Sequence, residues 1–253
     1  MNVSKPVSKP LVHYAAADEV ATLTLDSPHN RNALSRQLVG ELFEGLDRAE
    51  RDDVVKVLLL RSADRVFCSG ADLAEASGEG MAEGARKIIE LQKRIVASPK
   101  PVVVRLDGPV RAGGIGIVAA ADIAIAAPDA TFALTEVRLG LAAAVISLTV
   151  FHRMTSRAGS RAVLTGETFD AARAAEWGLV TEVADDVDSA VEKILTDLGK
   201  GHPQGLRESK RVVNVELLQK LESRGDEMAE LSAHLFASDA ARDAMLAFLS
   251  KRS

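Results

Sequence analysis

Two short runs rich in valine and leucine, Val54 to Leu60 and Val102 to Leu106, constrain the chain most. Stretches this short and this apolar suit strands covered on both faces. Ahead of the first, Leu34, Leu38, Leu42 and Leu46 recur at helical spacing, so a helix is expected from Leu34 to about Glu50. A helix leading into a buried strand is an α/β signal. Upstream, Val20 to Leu25 alternates as a half-buried strand, Ser27 to Asn30 reads as a turn, and residues 1–10 read as a loose leader. Downstream, Ile123 to Ala126 and Thr131 to Leu134 are expected to form a strand pair about the Pro128-Asp129 turn, and the chain from Ala142 onward is mostly helical in pattern. Strands are thus expected in roughly the first 185 residues, with no internal repeat at a fixed period.

Composition excludes several classes. With 47% hydrophobic and 26% charged residues, the 253-residue chain fits an ordinary globular protein rather than a disordered or coiled-coil one. Its 31 Lys and Arg against 36 Asp and Glu are scattered, so no nucleic-acid surface is implied, although a local basic pocket could still take a small anion. The longest apolar stretch, Ile115 to Ala127, is broken by Gly116 and Asp122 and falls short of a membrane span. Residues 1–12 lack the apolar core of a secretion signal. Cys68, the single cysteine, excludes an intrachain disulfide and suits a reducing compartment, so a cytoplasmic location is expected.

Two segments place glycines immediately after a buried strand. In Phe67-Cys68-Ser69-Gly70-Ala71-Asp72-Leu73, glycine permits a positive φ and the small Ala71 lets a ligand approach a backbone N–H. The second, Gly113-Gly114, opens another helix. If both amides point into one space they form an oxyanion hole; taken singly, each turn reads first as a tight strand-to-helix connection. Gly113, Gly114 and Gly116 fail the spacing of a dinucleotide-binding fingerprint, and no phosphate-binding loop of the GxxxxGK[ST] type is present.

The segments SPHNRNAL at 27–34, VFCSGADL at 66–73, KPVVVRLDGPVRAGGIG at 100–116, ADIAIAAPDATFALTEVRLGL at 121–141, LTGETFDAARAAEWGLVTEV at 164–183 and AFLSKR at 247–252 together resemble the crotonase (enoyl-CoA hydratase/isomerase) superfamily. The resemblance implies an α/β fold, a spiral of ββα units with a helical C-terminal trimerisation region, divided here as a core over 1–190 and a helical region over 191–253. It implies an acyl-CoA thioester as substrate, no separate cofactor because coenzyme A is part of that substrate, and a homotrimer or dimer of trimers.

By the same resemblance, the amides of Ala71 and Gly113 would hold the thioester oxygen and Glu136 would move a proton. Hydratases of the family usually carry a second glutamate, whose position is taken here by Gly116, which cannot transfer a proton. The implied activity is hydration of a 2-enoyl-CoA in fatty-acid or branched-chain acyl breakdown. Double-bond isomerisation from 3-enoyl-CoA to 2-enoyl-CoA by a single glutamate is the alternative, and an acyl-CoA-binding protein with weak or no turnover is a third reading. Arg31, Ser69, Ala71, Leu73, Phe248 and Lys251 match the family's coenzyme A site; Arg31 and Lys251 read equally as surface cations, and Phe248 as helix core.

The remaining candidates have plainer readings. Asp72 and Asp122 are expected as structural carboxylates, and Cys68 as small apolar filling. No other histidine or carboxylate is spaced with His152 as in a HExxH site, so no metal is expected. Arg111 is expected to face outward.

Overall fold

The computed structural model describes residues 9–72, 75 and 80–250, with only the backbone described for Gly80, Met81 and 248–250. The main sheet runs in the order β1 (Val12–Ala17), β2 (Val20–Leu25), β3 (Val57–Ser62), β4 (Val102–Leu106), β6 (Ile123–Ala126), β9 (Glu182–Val183). β1 pairs antiparallel with β2 and every later pairing is parallel. A smaller sheet joins β5 (Val110–Arg111), β7 (Thr131–Ala133) and β8 (Thr168–Asp170). The expected pairing of the strands around Pro128-Asp129 is corrected here: β6 and β7 lie in different sheets. β6 is already paired with β4 on one edge and β9 on the other, so the segment after the turn finds its partners, β5 and β8, in the second sheet.

The apolar runs read as unbroken because their alternate residues feed two cores. Leu58 and Leu60 of β3, Val102 and Val104 of β4, and Ala124 and Ala126 of β6 face one cluster. Val57, Leu59, Val103 and Ile125 face the other, which helix α7 (Val187–Gly199) covers with Val187 and Val191. The larger cluster is closed by α1 (Arg36–Arg51), α2 (Gly80–Ala97) and α3 (Gly113–Ala120). Ser35 caps α1 by accepting from the Leu38 N–H, and the Leu38, Leu42, Leu46 stripe is buried as its spacing requires.

The spiral emerges from two parallel tracks. Four successive passes each lay a strand in the main sheet, then a short extended piece in a second layer, then turn back. The second-layer pieces are Leu34, residues 68–71, β5 and β7, linked by bridges Leu34 to Ala71 and Cys68 to Val110 and by the β5–β7 pair. The helices that follow them are α1, α2, α3 and, after a 3-10 turn at Glu136–Leu139, α4 (Ala144–Arg153). Intervals between passes vary because loop lengths vary, so no fixed period shows in the sequence.

After α5 (Ser156–Thr165) and α6 (Ala171–Glu176), the chain ends in α8 (Pro203–Phe236) and α9 (Asp239–Ser250). α8 lies close on α2: a carbon added to Gly225 would be 3.0 Å from Ile89 Cγ2. A buried ion pair fixes it. Lys210 Nζ lies 2.8 Å from Asp122 Oδ2 and donates to the Ile95 and Lys100 carbonyls, while Asn214 donates to Asp122 Oδ1. Asp122 also accepts from the Val102 N–H, so it is the structural carboxylate the sequence suggested. Among the described residues, no helix is long and apolar enough to cross a membrane.

Candidate active site

The two glycine-bearing bends meet. Leu34 N–H donates to the Gly70 carbonyl at 2.8 Å, and Arg111 N–H donates to the Cys68 carbonyl at 2.9 Å, so residues 68–71 lie between Leu34 and β5. In a parallel bridge one partner bonds to the residues flanking the other, so the Ala71 amide points away from Leu34, toward the side where β5 runs into Gly113. Gly70 has φ +96, and a carbon added there would be 2.8 Å from Ala112 Cβ and 3.8 Å from Gly113 N. Glycine at 70 is therefore required both by backbone angle and by contact.

Gly113 opens α3, where the first N–H groups lack intrahelical partners. Its orientation is imposed by Ala112, a non-glycine residue at φ 46 and ψ −119, whose N–H donates to Ala133 O at 3.2 Å. Such a conformation costs about 1–3 kcal/mol and persists only where surrounding contacts enforce it. Here they do: Arg111 pairs with Ala133, and Arg111 donates to the Val110 and Thr131 carbonyls and to Thr131 Oγ1. The outward-facing arginine expected from sequence is thus corrected. Its guanidinium is half-buried and finds these acceptors between β5 and β7.

Glu136 leaves the same strand pair. Gly113 lies two residues past Arg111 and Glu136 three past Ala133, so both depart from one end of two paired parallel strands. Glu136 Oε2 is buried and has no hydrogen-bond partner. Burial pushes its carboxyl up to about 7, only partly offset by a backbone hydrogen bond. An acid in that range can both take and return a proton near neutrality. α9 backs the turn, with Ala240 and Ala241 backbone atoms 3.2–3.3 Å from a carbon added to Gly140.

The other predicted residues distribute unevenly. Ser69 Oγ donates to the Asn30 carbonyl, so its hydroxyl braces the neighbouring loop. Asn30 Nδ2 in turn donates to Asp72 Oδ2, a structural use of Asp72. Arg31 is exposed in a left-handed conformation at φ 57. Leu73, Lys251 and the Phe248 side chain lie outside the described residues. Cys68 is buried, its thiol pushed up to about 12 by desolvation, and packs beneath Gly114. His152 lines a separate surface hollow with Phe151. No group of three or more metal-ligating side chains occurs among the described residues.

Sequence reasoning missed Leu34, whose Cδ1 lies 2.8 Å from a carbon added to Gly113, and Ala112. An alanine carries no sign of positive φ, whereas Leu34 was read only as a helix position. A hollow of about 100 Å³ opens beside Ala71 between α1, α2 and α8.

Comparison with known proteins agrees with this architecture. The family model described as enoyl-CoA hydratase/isomerase matches residues 15–253. A 1,2-epoxyphenylacetyl-CoA isomerase of Escherichia coli K12 is 30% identical over 244 residues, covering 92% of this chain and 93% of its own. The crystal structure of an enoyl-CoA hydratase from Mycobacterium avium superimposes with a TM-score of 0.92 at 48% identity, covering 97% and 98% of the two chains. An enoyl-CoA hydratase structure from Shewanella pealeana gives 0.78 at 30% identity, over 95% and 94%. The chain therefore belongs to the enoyl-CoA hydratase/isomerase family and has its crotonase fold.

Proposed function

We propose that this enzyme binds an acyl-CoA thioester with its carbonyl oxygen on the Ala71 and Gly113 amides while Glu136 exchanges a proton with the acyl chain, and that its reaction is hydration of a 2-enoyl-CoA. The observation that carries the reading is the junction of the two bends, with a Gly70 substituent position 3.8 Å from Gly113 N. As negative charge moves onto the thioester oxygen, two fixed N–H dipoles stabilise the enolate, and losing one such donor costs about 2.7–4 kcal/mol. In hydration, water adds to the β-carbon and a proton to the α-carbon; one glutamate serves both steps by using its two oxygens. The name of the 48% identical Mycobacterium avium relative supports hydration.

A specific contact favours isomerisation as the second reading. Gly116 has no acid and its side-chain space is filled by Ile146, 2.4 Å from an added carbon. A lone acid suffices to remove the α-proton of a 3-enoyl-CoA and return it to the γ-carbon, moving the double bond without water. Supplying 2-enoyl-CoA and 3-enoyl-CoA separately in heavy-oxygen water separates the readings. Label in a 3-hydroxyacyl product establishes hydration, unlabelled 2-enoyl product from the 3-enoyl compound establishes isomerisation, and turnover of neither overturns both.

The proposal carries a cytoplasmic setting, supported by the buried free thiol of Cys68, and a homotrimer or dimer of trimers. Support for assembly comes from the exposed apolar side chains Val137, Phe151, Leu164 and Leu231, which surround one surface hollow. Light scattering gives the mass directly; a monomer at working concentration would contradict it. The division at 190/191 is likewise proposed, with the second unit completing the coenzyme A site.

A further inference from the structure

We infer that Gly84 sets the length of acyl chain this enzyme accepts; the inference rests on the acyl-CoA reading above. The hollow beside Ala71 has exposed charged residues, Arg36, Glu75 and Lys87, on its outer part. Its inner part is buried and apolar, formed by Leu34, Val39, Ala85 and Ile88, and it reaches across to Phe236 of α8. Leu34 is also the side chain nearest Gly113, so the apolar interior begins where the thioester carbonyl would be held. The hollow has a volume of about 100 Å³, room for a short hydrocarbon segment, which fills such a wall by burying apolar area.

Gly84 lies inside α2, where glycine costs about 1 kcal/mol relative to alanine. At two other helical glycines the compensation is contact: an added carbon at Gly45 meets Leu23 at 2.5 Å, and at Gly225 Ile89 at 3.0 Å. At Gly84 it meets no described atom within 4 Å. Gly40 and Gly205 are equally open but line no part of this hollow. What the missing side chain leaves at Gly84 is therefore cavity, one residue from Ala85 and one helical turn from Ile88 on the same wall. Leucine at 84 would fold readily, being the better helix former, and would project into the space.

The test uses saturated thioesters, which cannot be hydrated or isomerised, so that binding is read independently of turnover. Butyryl-CoA, octanoyl-CoA and free coenzyme A are titrated calorimetrically into the wild type, Gly84→Leu and the control Gly40→Leu. Gly84→Leu is expected to weaken octanoyl-CoA by about tenfold or more relative to butyryl-CoA, with Gly84→Ala between. Free coenzyme A and the Gly40→Leu control should follow the wild type. An unchanged octanoyl-to-butyryl ratio overturns the inference, and equal weakening of all three ligands overturns it by assigning the hollow to the nucleotide. Failure of the wild type to bind any of the three would instead refute the acyl-CoA reading beneath it.

Discussion

A carbon added to Gly116 would lie 2.4 Å from Ile146 Cγ2 and 3.0 Å from its Cβ, so α3 and α4 interlock through these two residues. Behind them, Gln92 donates to the Val145 carbonyl and accepts from Thr149, closing the space with a buried polar network. A β-branched side chain cannot swing away at low cost.

Gly116→Ala is therefore expected to destabilise the protein by about 1–3 kcal/mol despite alanine's better helix propensity. Ile146→Ala alone should cost about 2–5 kcal/mol through the cavity it leaves. The double variant should be less destabilised than the sum by about 1 kcal/mol or more, read as a coupling energy from denaturant unfolding. Additive losses would show that the two residues do not share the space.

Glu136 ties stability to pH. Its carboxyl is raised from 4.5 to about 7 in the folded state, so the folded protein holds the proton that the unfolded chain releases. The stability is fully present below pH 4.5 and is lost as pH rises through about 7. Glu136→Gln has no such titration. The wild type should accordingly lose up to about 3 kcal/mol relative to this variant between those limits, measured by denaturant unfolding at several pH values. A constant difference would place the carboxylate in water.

The same titration governs chemistry. With a saturated acyl-CoA in deuterated water, exchange of the α-protons should rise with pH through about 7 and then level, because Glu136 must be ionised to act as base. Glu136→Gln should lower the exchange rate by about 10²–10⁴-fold while thioester affinity is retained. NMR of the recovered thioester reads both; exchange that survives in the variant would assign the base elsewhere.

Much of the frame was legible because burial and periodicity coincide. Val102 to Leu106 is β4 to the residue, and the Leu34 to Glu50 periodicity corresponds to α1 at Arg36–Arg51. β1 was not visible: its burial is partial and its sequence, VHYAAA, has no strong β pattern at the sheet edge. β8 and β9 span only three and two residues, too few for any period. α8 buries Lys210 and Asn214, polar types whose partner Asp122 is 88 and 92 residues distant, so their place in the core depends on tertiary pairing. Of the proposed site, the glycine-bearing turns stood out by themselves and Glu136 through the family resemblance, whereas the positive φ of Ala112 and the contact of Leu34 with Gly113 arise only when separate passes of the spiral come together.

Ala112 offers the sharpest separation of stability from activity. Ala112→Gly removes strain of about 1–3 kcal/mol at φ 46 and returns part of it through the freer unfolded chain, about 0.4–1 kcal/mol, so the variant should be as stable as the wild type or more so. Its Gly113 amide, however, is held less firmly where charge develops on the substrate oxygen. Turnover should fall several-fold, short of the roughly hundredfold loss from removing a donor outright. Gly70→Ala acts in the opposite sense on stability, since it forces alanine to φ +96 and meets Ala112 Cβ at 2.8 Å. It should lose both stability and turnover. Thermal unfolding and steady-state kinetics on the two variants measure the contrast; an Ala112→Gly enzyme with undiminished kcat would mean that the bend at residue 112 does not position a catalytic amide.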